Sequence, residues 1–172
     1  REASSIVLMD DDFKSIVATV RLGRRIYDNI CKAMTFVAAI HGPVAGLALL
    51  PLLFGLPLVL LPVHIAFLEM IIDPISSIAF EAESDESDIM RRPPRDPQGS
   101  LISGHFLSQA LIQGMGALAV VMAMYLFALY EQRSESEIRS IAFLTLVLAN
   151  MVLIFVNRAY ASSFIEAFTR PN

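Results

Sequence analysis

The hydrophobic and polar positions divide the chain into an amphipathic start followed by three long stretches without charge. Apolar residues recur every three or four positions over 13–31, which is the period of one apolar helix face. No Asp, Glu, Lys or Arg occurs in 33–68, 98–130 or 140–157. A membrane-spanning helix needs about 20 mainly apolar residues. The pattern therefore predicts an all-α integral membrane protein.

The uncharged stretches predict four transmembrane helices. The first stretch is too long for one helix, and Phe54-Gly55-Leu56-Pro57 is a turn signal near its middle. A polar loop with three arginines follows the second span, and basic residues beside a span favour the cytoplasmic side. We therefore expect a multi-pass protein with both ends in the cytoplasm. The expected spans are 33–54, 58–80, 105–130 and 140–157.

The segments outside the predicted spans can also be assigned from the sequence. Residues 13–32 are expected to form a helix that continues into the first span, with Asp12 as its N-cap. The apolar run 6–9 is typical of a short buried strand, so we infer that the sequence begins inside a larger protein. The acidic run Glu81–Asp88 is expected to be a solvated loop, and 158–172 a polar tail.

Composition excludes several other classes of protein. Charged residues make up 17% of the chain, against about 25% in a soluble domain. The net charge of −4 and the lack of a basic stripe exclude a nucleic-acid partner. A single cysteine, Cys31, excludes a disulfide scaffold. We therefore expect the chain to lie in a lipid bilayer.

Two carboxylates within the predicted second span are the strongest candidates for chemistry. Glu69 and Asp73 are four residues apart, so they project from one face of a helix. Charged groups near the bilayer centre are costly, and they mark ion pathways in many membrane proteins. Two carboxylates this close would repel each other, so the arrangement favours a bound proton or metal ion.

Prolines next to these positions predict interrupted helices. Pro74 follows Asp73, and Pro43 in the first span cannot donate to the carbonyl of Ala39. Interrupted helices at membrane depth can offer free carbonyls as ion ligands. The sequence therefore predicts a hard-cation site formed by Glu69, Asp73 and the Ala39 carbonyl.

Two further polar residues in the spans are open to two interpretations. His41 is either a ligand of the same site or an imidazole that bonds only to a neighbour. Asn150 is either a ligand or a side chain that hydrogen-bonds between helices.

Several motifs resemble the P-type cation-transporting ATPases, in particular the calcium-pump-like branch. They include Gly23-Arg-Arg-Ile-Tyr-Asp-Asn-Ile30, Glu69-Met-Ile-Ile-Asp-Pro74 and Asp88-Ile-Met-Arg-Arg-Pro-Pro-Arg95. By this resemblance 1–12 ends an α/β phosphorylation domain, with 6–9 as a remnant strand, and 13–32 is a stalk helix. The four spans would be the fifth to eighth helices of a ten-helix pump.

The resemblance implies an ATP-driven pump that forms an aspartyl-phosphate and uses ATP and Mg²⁺. Asp73 matches a sixth-helix aspartate of the family, while Glu69 and His41 stand where the family has asparagines. Asn150 falls on the polar ligand position of the eighth helix. The chain carries no aspartyl-phosphorylation motif, so we do not expect these residues alone to hydrolyse ATP.

The implied partners are the rest of the pump: helices one to four, nine and ten, and the cytoplasmic head. The implied location is the plasma membrane. Two other functions stay open at this point: a non-catalytic fragment that binds or regulates another transporter, and a passive cation or proton channel. The reading frame upstream of Arg1 would separate a pump from a fragment, and liposome flux would test the channel.

Overall fold

The described part of the chain folds into four α-helices. The computed structural model describes residues 7, 12–94 and 104–158, except for the side chains of Asp73 and His105. The helices are α1 (Phe13–Leu53), α2 (Pro62–Glu81), α3 (Gly104–Tyr130) and α4 (Glu135–Arg158). No strand occurs in this part of the chain, which confirms the all-α prediction. The predicted strand 6–9, apart from Val7, and the tail beyond Arg158 lie outside the described residues.

All four helices are long and apolar enough to cross a membrane. Large apolar side chains remain exposed along them, for example Ile112 and Met115 of α3. Such exposure is expected where lipid or another helix covers the surface. Helix α1 has 41 residues. At about 1.5 Å per residue it is roughly 60 Å long, about twice the hydrocarbon thickness of a bilayer. We call its first half, 13–32, the α1 extension.

Two helices begin at residues other than the predicted ones. Helix α2 begins at Pro62 rather than at residue 58, because proline is favoured in the first turn and disfavours helix in the residue before it. Helix α4 begins at Glu135, five positions before the predicted start. Ser134 and Glu137 explain this start, since their side chains each bond the other's backbone N–H in a capping box.

The start of α1 agrees with the sequence. Asp12 is the N-cap, and its carboxylate accepts a hydrogen bond from the backbone N–H of Lys14 at 2.9 Å. The α1 extension and the first span form one helix without a boundary between them.

The predicted helix interruptions are wrong. Helix α1 continues through Pro43 and Pro51, and α2 continues through Pro74. A proline inside a helix removes one hydrogen bond, and the bonds on either side can maintain the helix with a bend. The carbonyl of Ala39 still lacks its usual partner at Pro43, and it lies against Gly114 of α3.

Helix α1 is central to the bundle and contacts the other three helices. Its inward face contributes Phe36, Ile40 and Leu47 to the main core, which Val121 of α3 and Leu146 of α4 complete. Glycines allow α1 and α3 to approach closely. A methyl group added to Gly42 would lie 3.3 Å from the Cα of Gly114. Gly42 and Gly46 are four residues apart, the spacing that brings membrane helices together.

A buried tyrosine connects the α1–α2 linker to α3. Tyr125 is fully buried, and its hydroxyl donates to the carbonyl of Pro57 at 2.9 Å. We expect Tyr125→Phe to destabilise the chain by about 1 kcal/mol, because one hydrogen bond is lost and a carbonyl is left unpaired. Tyr130→Phe is the matched control, since Tyr130 is 82% exposed. Thermal unfolding in lipid nanodiscs measures both, and equal melting temperatures would contradict the assignment.

Candidate functional site

His41 of α1 and Glu69 of α2 meet across the interface between the two helices. His41 Nε2 lies 3.9 Å from Glu69 Oε1. The side chains are 58% and 39% exposed, respectively, so they border a surface that the four helices leave uncovered. The separation is too long for a hydrogen bond. It is short enough for one ion to contact both groups.

A hydrogen bond to the backbone fixes the tautomer of His41. Its Nδ1 lies 2.6 Å from the carbonyl oxygen of Val37, one turn earlier in α1. A carbonyl only accepts hydrogen bonds, so Nδ1 carries a proton and donates it. In the neutral imidazole the lone pair is therefore on Nε2, the nitrogen on the side of Glu69. The bond to Val37 is the neighbour contact that one interpretation of the sequence predicts, and the role of His41 as a cation ligand stays a prediction.

Asp73 lies one turn beyond Glu69 in α2. The backbone at this position is helical, and its side chain is outside the described part of the structure. The spacing of four places the two residues on one helix face. The proposed role of Asp73 in a cation site stays a prediction.

Asn150 lies in a different part of the bundle. It is 4% exposed, and neither its amide nitrogen nor its oxygen has a hydrogen-bond partner among the described residues. It lines an apolar cavity of about 520 Å³ between α1, α2 and α4. Leu68 and Ile72 are among the α2 residues that line this cavity, and neither His41 nor Glu69 lines it. The structure therefore joins His41 to Glu69 and does not join Asn150 to them.

The paired side chains do not by themselves complete a metal site. In the described ranges no group of three or more His, Cys, Asp and Glu residues could hold a metal ion. Ca²⁺ takes six to eight oxygen ligands. Ala39 can contribute only its backbone carbonyl, which faces α3. Any complete coordination shell needs further ligands.

A second polar arrangement lies where the α2–α3 connection, 82–94, meets the α1 extension. Lys32 Nζ binds Glu86 Oε1 at 2.8 Å, with both side chains at least 96% buried. Arg158 Nε binds Glu83 Oε2 at 2.7 Å, with exposures of 12% and 2%. Lys32 also donates to the carbonyl of Arg158 at 3.2 Å, which joins the two pairs. We call Lys32, Glu83, Glu86 and Arg158 the ion-pair cluster.

The ion-pair cluster corrects the prediction that Glu81–Asp88 is a solvated loop at two positions, Glu83 and Glu86, while the other residues of the run are exposed. Glu83 and Glu86 are buried, because a cation on α1 or α4 neutralises each of them. The sequence shows both charges but not their pairing, since the partners are 54 and 75 positions apart. The sequence signal for this pairing is that the α1 extension is rich in basic residues and the start of the α2–α3 connection is rich in acidic ones.

Side chains of the α1 extension also bind the backbone of the connection. Arg25 and Asn29 both donate to the carbonyl of Glu83, at 2.7 and 3.0 Å. Arg24 donates to the carbonyls of Ile89 and Arg92, each at 2.7 Å. These bonds satisfy carbonyls that a loop would otherwise leave to water. The connection is therefore held against the C-terminal part of the α1 extension.

Arg92 completes the contact at the far end of the connection. Its guanidinium binds Asp28 of α1 at 2.7 Å and Asp88 at 2.7 Å. The hydrogen bond from Arg92 holds the pKa of the Asp88 carboxyl below its ordinary value. The same bond to Asp88 raises the pKa of Arg92. Both groups therefore stay charged at neutral pH.

The four apolar helices of the described residues, each long enough to cross a membrane, define a multi-pass integral membrane protein. A family model described as cation transporting ATPase, C-terminus, matches residues 57–172. The chain belongs to this family and corresponds to the C-terminal membrane region of a P-type cation ATPase.

Individual relatives agree with the family. The chain is 31% identical over 166 residues to a calcium-transporting ATPase of Bacillus subtilis, covering 95% of this chain and 18% of that protein. It is 30% identical over 171 residues to the cation-transporting ATPase pma1 of Synechocystis, covering 98% and 19%. A sodium/potassium-transporting ATPase alpha subunit of Hydra vulgaris is 35% identical over 111 residues, covering 64% and 11%. The chain thus spans less than a fifth of the length of these relatives.

Proposed function

We propose that the chain is the part of an ATP-driven P-type cation pump that carries one side of the intramembrane cation site. The observation that carries this proposal is the His41–Glu69 pair, 3.9 Å apart between two helices long enough to cross a membrane. An acidic group at this depth is expensive unless it serves an ion or proton. Its partial exposure on the four-helix bundle leaves room for ligands from other helices of the pump.

The proposed cation ligands on this chain are Glu69, Asp73 and His41, with the Ala39 carbonyl and Asn150 as further candidates. Glu69 and Asp73 supply negative charge, and the carbonyl and amide supply neutral oxygens of the kind that hard cations accept. Asn150 would need a different helix arrangement to reach the pair, since it lines the cavity on another side of α2. The names of the relatives support a cation as cargo, and the calcium-pump-like branch is part of the proposal.

The α1 extension is proposed to couple the cation site to ATP hydrolysis. ATP and Mg²⁺ would bind on the head of the pump, outside this chain. The hydrogen bonds and the ion-pair cluster that hold the α2–α3 connection to the α1 extension support this role, because they link the segment that follows α2 to α1. The proposed location is the plasma membrane, with both ends of the chain in the cytoplasm.

Neutralising the carboxylates in the full-length pump tests the cation site. We expect Glu69→Gln and Asp73→Asn each to raise the cation concentration for half-maximal phosphoenzyme at least about tenfold, equivalent to about 1.4 kcal/mol. Removing a negative ligand weakens binding of the cation, and phosphorylation depends on that binding. Acid-stable phosphoenzyme from labelled ATP is the measurement.

Glu81→Gln is the matched control for these variants. Glu81 is an exposed carboxylate at the end of the same helix, and it should leave the cation dependence unchanged. Unaltered cation dependence in both Glu69→Gln and Asp73→Asn would overturn the assignment of the site.

A further inference from the structure

We propose that His41 makes the site selective for a divalent first-row transition-metal cation that accepts imidazole nitrogen, such as Zn²⁺ or Co²⁺, over Ca²⁺ and alkali cations. The inference rests on the proposed function and specifies its cargo. It follows from the orientation of the imidazole, from its distance to Glu69 and from the ligand preferences of the two classes of cation.

The imidazole has the arrangement of a metal-binding histidine. Such residues usually donate the N–H that does not face the metal to a backbone carbonyl or a carboxylate, which fixes the ring and makes the other nitrogen more basic. His41 Nδ1 donates to the Val37 carbonyl at 2.6 Å. Nε2 therefore keeps the lone pair that can bind a metal ion, and it lies on the side of the carboxylate of Glu69.

The spacing of the two donor atoms fits a small cation between them. Transition-metal bonds to imidazole nitrogen and carboxylate oxygen are about 2.0–2.2 Å, so two neighbouring ligands of one ion lie roughly 2.8–3.8 Å apart. The observed distance from Nε2 to Oε1 is 3.9 Å, just above that range, so a small side-chain movement would let both atoms bind one ion. Asp73, one turn from Glu69 in the same helix, is the next position from which a carboxylate can join the shell.

The donor set decides between the classes of cation. Ca²⁺ and Mg²⁺ bind through oxygen, whereas imidazole suits zinc and neighbouring transition metals. Replacing one oxygen ligand by a nitrogen therefore weakens a calcium site and strengthens a transition-metal site. The competing arrangement is a protonated His41 that forms an ion pair with Glu69 and leaves no nitrogen for a metal.

The test compares cations in the full-length pump by phosphoenzyme formation. We expect wild-type protein to reach half-maximal phosphoenzyme at a Zn²⁺ or Co²⁺ concentration at least about tenfold below that for Ca²⁺. His41→Gln should remove this preference. His64→Gln is the control, because His64 bonds the backbone of Leu61 at the start of α2 and should leave the preference intact.

A spectroscopic readout separates coordination from indirect effects. Pulsed EPR of Mn²⁺ bound to the purified pump should show nitrogen modulation from imidazole in wild type and His64→Gln, and no such modulation in His41→Gln. Equal activation by Ca²⁺ in wild type and His41→Gln, with no nitrogen modulation, would overturn the inference. The proposed function would survive that result if Glu69→Gln still altered the cation dependence, and it would fail if Glu69→Gln did not.

Discussion

Replacing Lys32 by methionine is expected to destabilise the chain by about 3–5 kcal/mol, because it leaves the carboxylate of Glu86 buried without its cation. Lys32 and Glu86 are 1% and 4% exposed, and their atoms are 2.8 Å apart. Water therefore cannot compensate for the lost charge. The loss should appear as a lower free energy of unfolding in an SDS titration in mixed micelles, followed by circular dichroism.

The double variant Lys32→Met with Glu86→Met should recover most of this loss. Two apolar side chains of similar length fill the same space without a buried charge, and such replacements are often close to neutral. Arg21→Met is the matched control, since Arg21 and Asp85 form an ion pair of 3.6 Å that is largely exposed. Exposed pairs contribute less than about 1 kcal/mol. A Lys32→Met loss no larger than that of Arg21→Met would show that the pair does not hold the connection.

Gly114→Ala is expected to cost about 1–3 kcal/mol through overpacking between α1 and α3. A Cβ at Gly114 would lie 2.7 Å from the carbonyl oxygen of Ala39, closer than real contacts allow. The obstacle is backbone, so the two helices would have to separate at the level of His41. The SDS titration measures this loss as well.

Gly116→Ala provides the comparison in the same helix, two positions away. A Cβ there would meet no atom within 4 Å. Alanine is also the better helix former, by up to about 1 kcal/mol. We therefore expect this variant to be neutral or slightly stabilising. If Gly114→Ala behaved in the same way, the close approach of α1 and α3 at this depth would be refuted.

The number and order of the membrane helices could be predicted from the sequence because absence of charge is a local property. Each uncharged stretch has the apolar composition that a helix needs in the interior of a bilayer. The turn signal at Gly55 separates the first two spans. Gly55 has a positive φ of 64°, which few other residues adopt easily. The predicted start of α4 was less accurate, because it did not use the capping signal in the sequence. Ser134 with Glu137 is a capping box that extends α4 into a polar segment.

Continuity of the helices through Pro43 and Pro74 could not be predicted from propensity. A proline removes one hydrogen bond, and tertiary contacts decide whether the helix bends or breaks. In α1 those contacts come from α3, where the carbonyl oxygen of Ala39 lies close to the backbone of Gly114. That partner is 75 residues away along the chain, so the local sequence contains no information about it.

The candidate cation site was predictable in its residue types and only partly in its geometry. Glu69 is conspicuous as an acid within a span, and the structure adds the contact with His41. The position of Asn150 in a separate cavity depends on the rotation of α4, which the sequence does not specify. Buried Lys32 was unforeseeable for the same reason, because its partner belongs to another element.

Helix α1 also determines how far a small motion at the membrane reaches. From His41 to Phe13 the helix contains no proline and extends roughly 42 Å at 1.5 Å per residue. Along a rigid rod of that length, a tilt of about 5° about His41 displaces the far end by about 4 Å, larger than the diameter of a water molecule. The same relation holds in the opposite direction. A displacement of several ångströms at the N-terminal end of α1 changes the distance between His41 Nε2 and Glu69 Oε1 by less than one ångström.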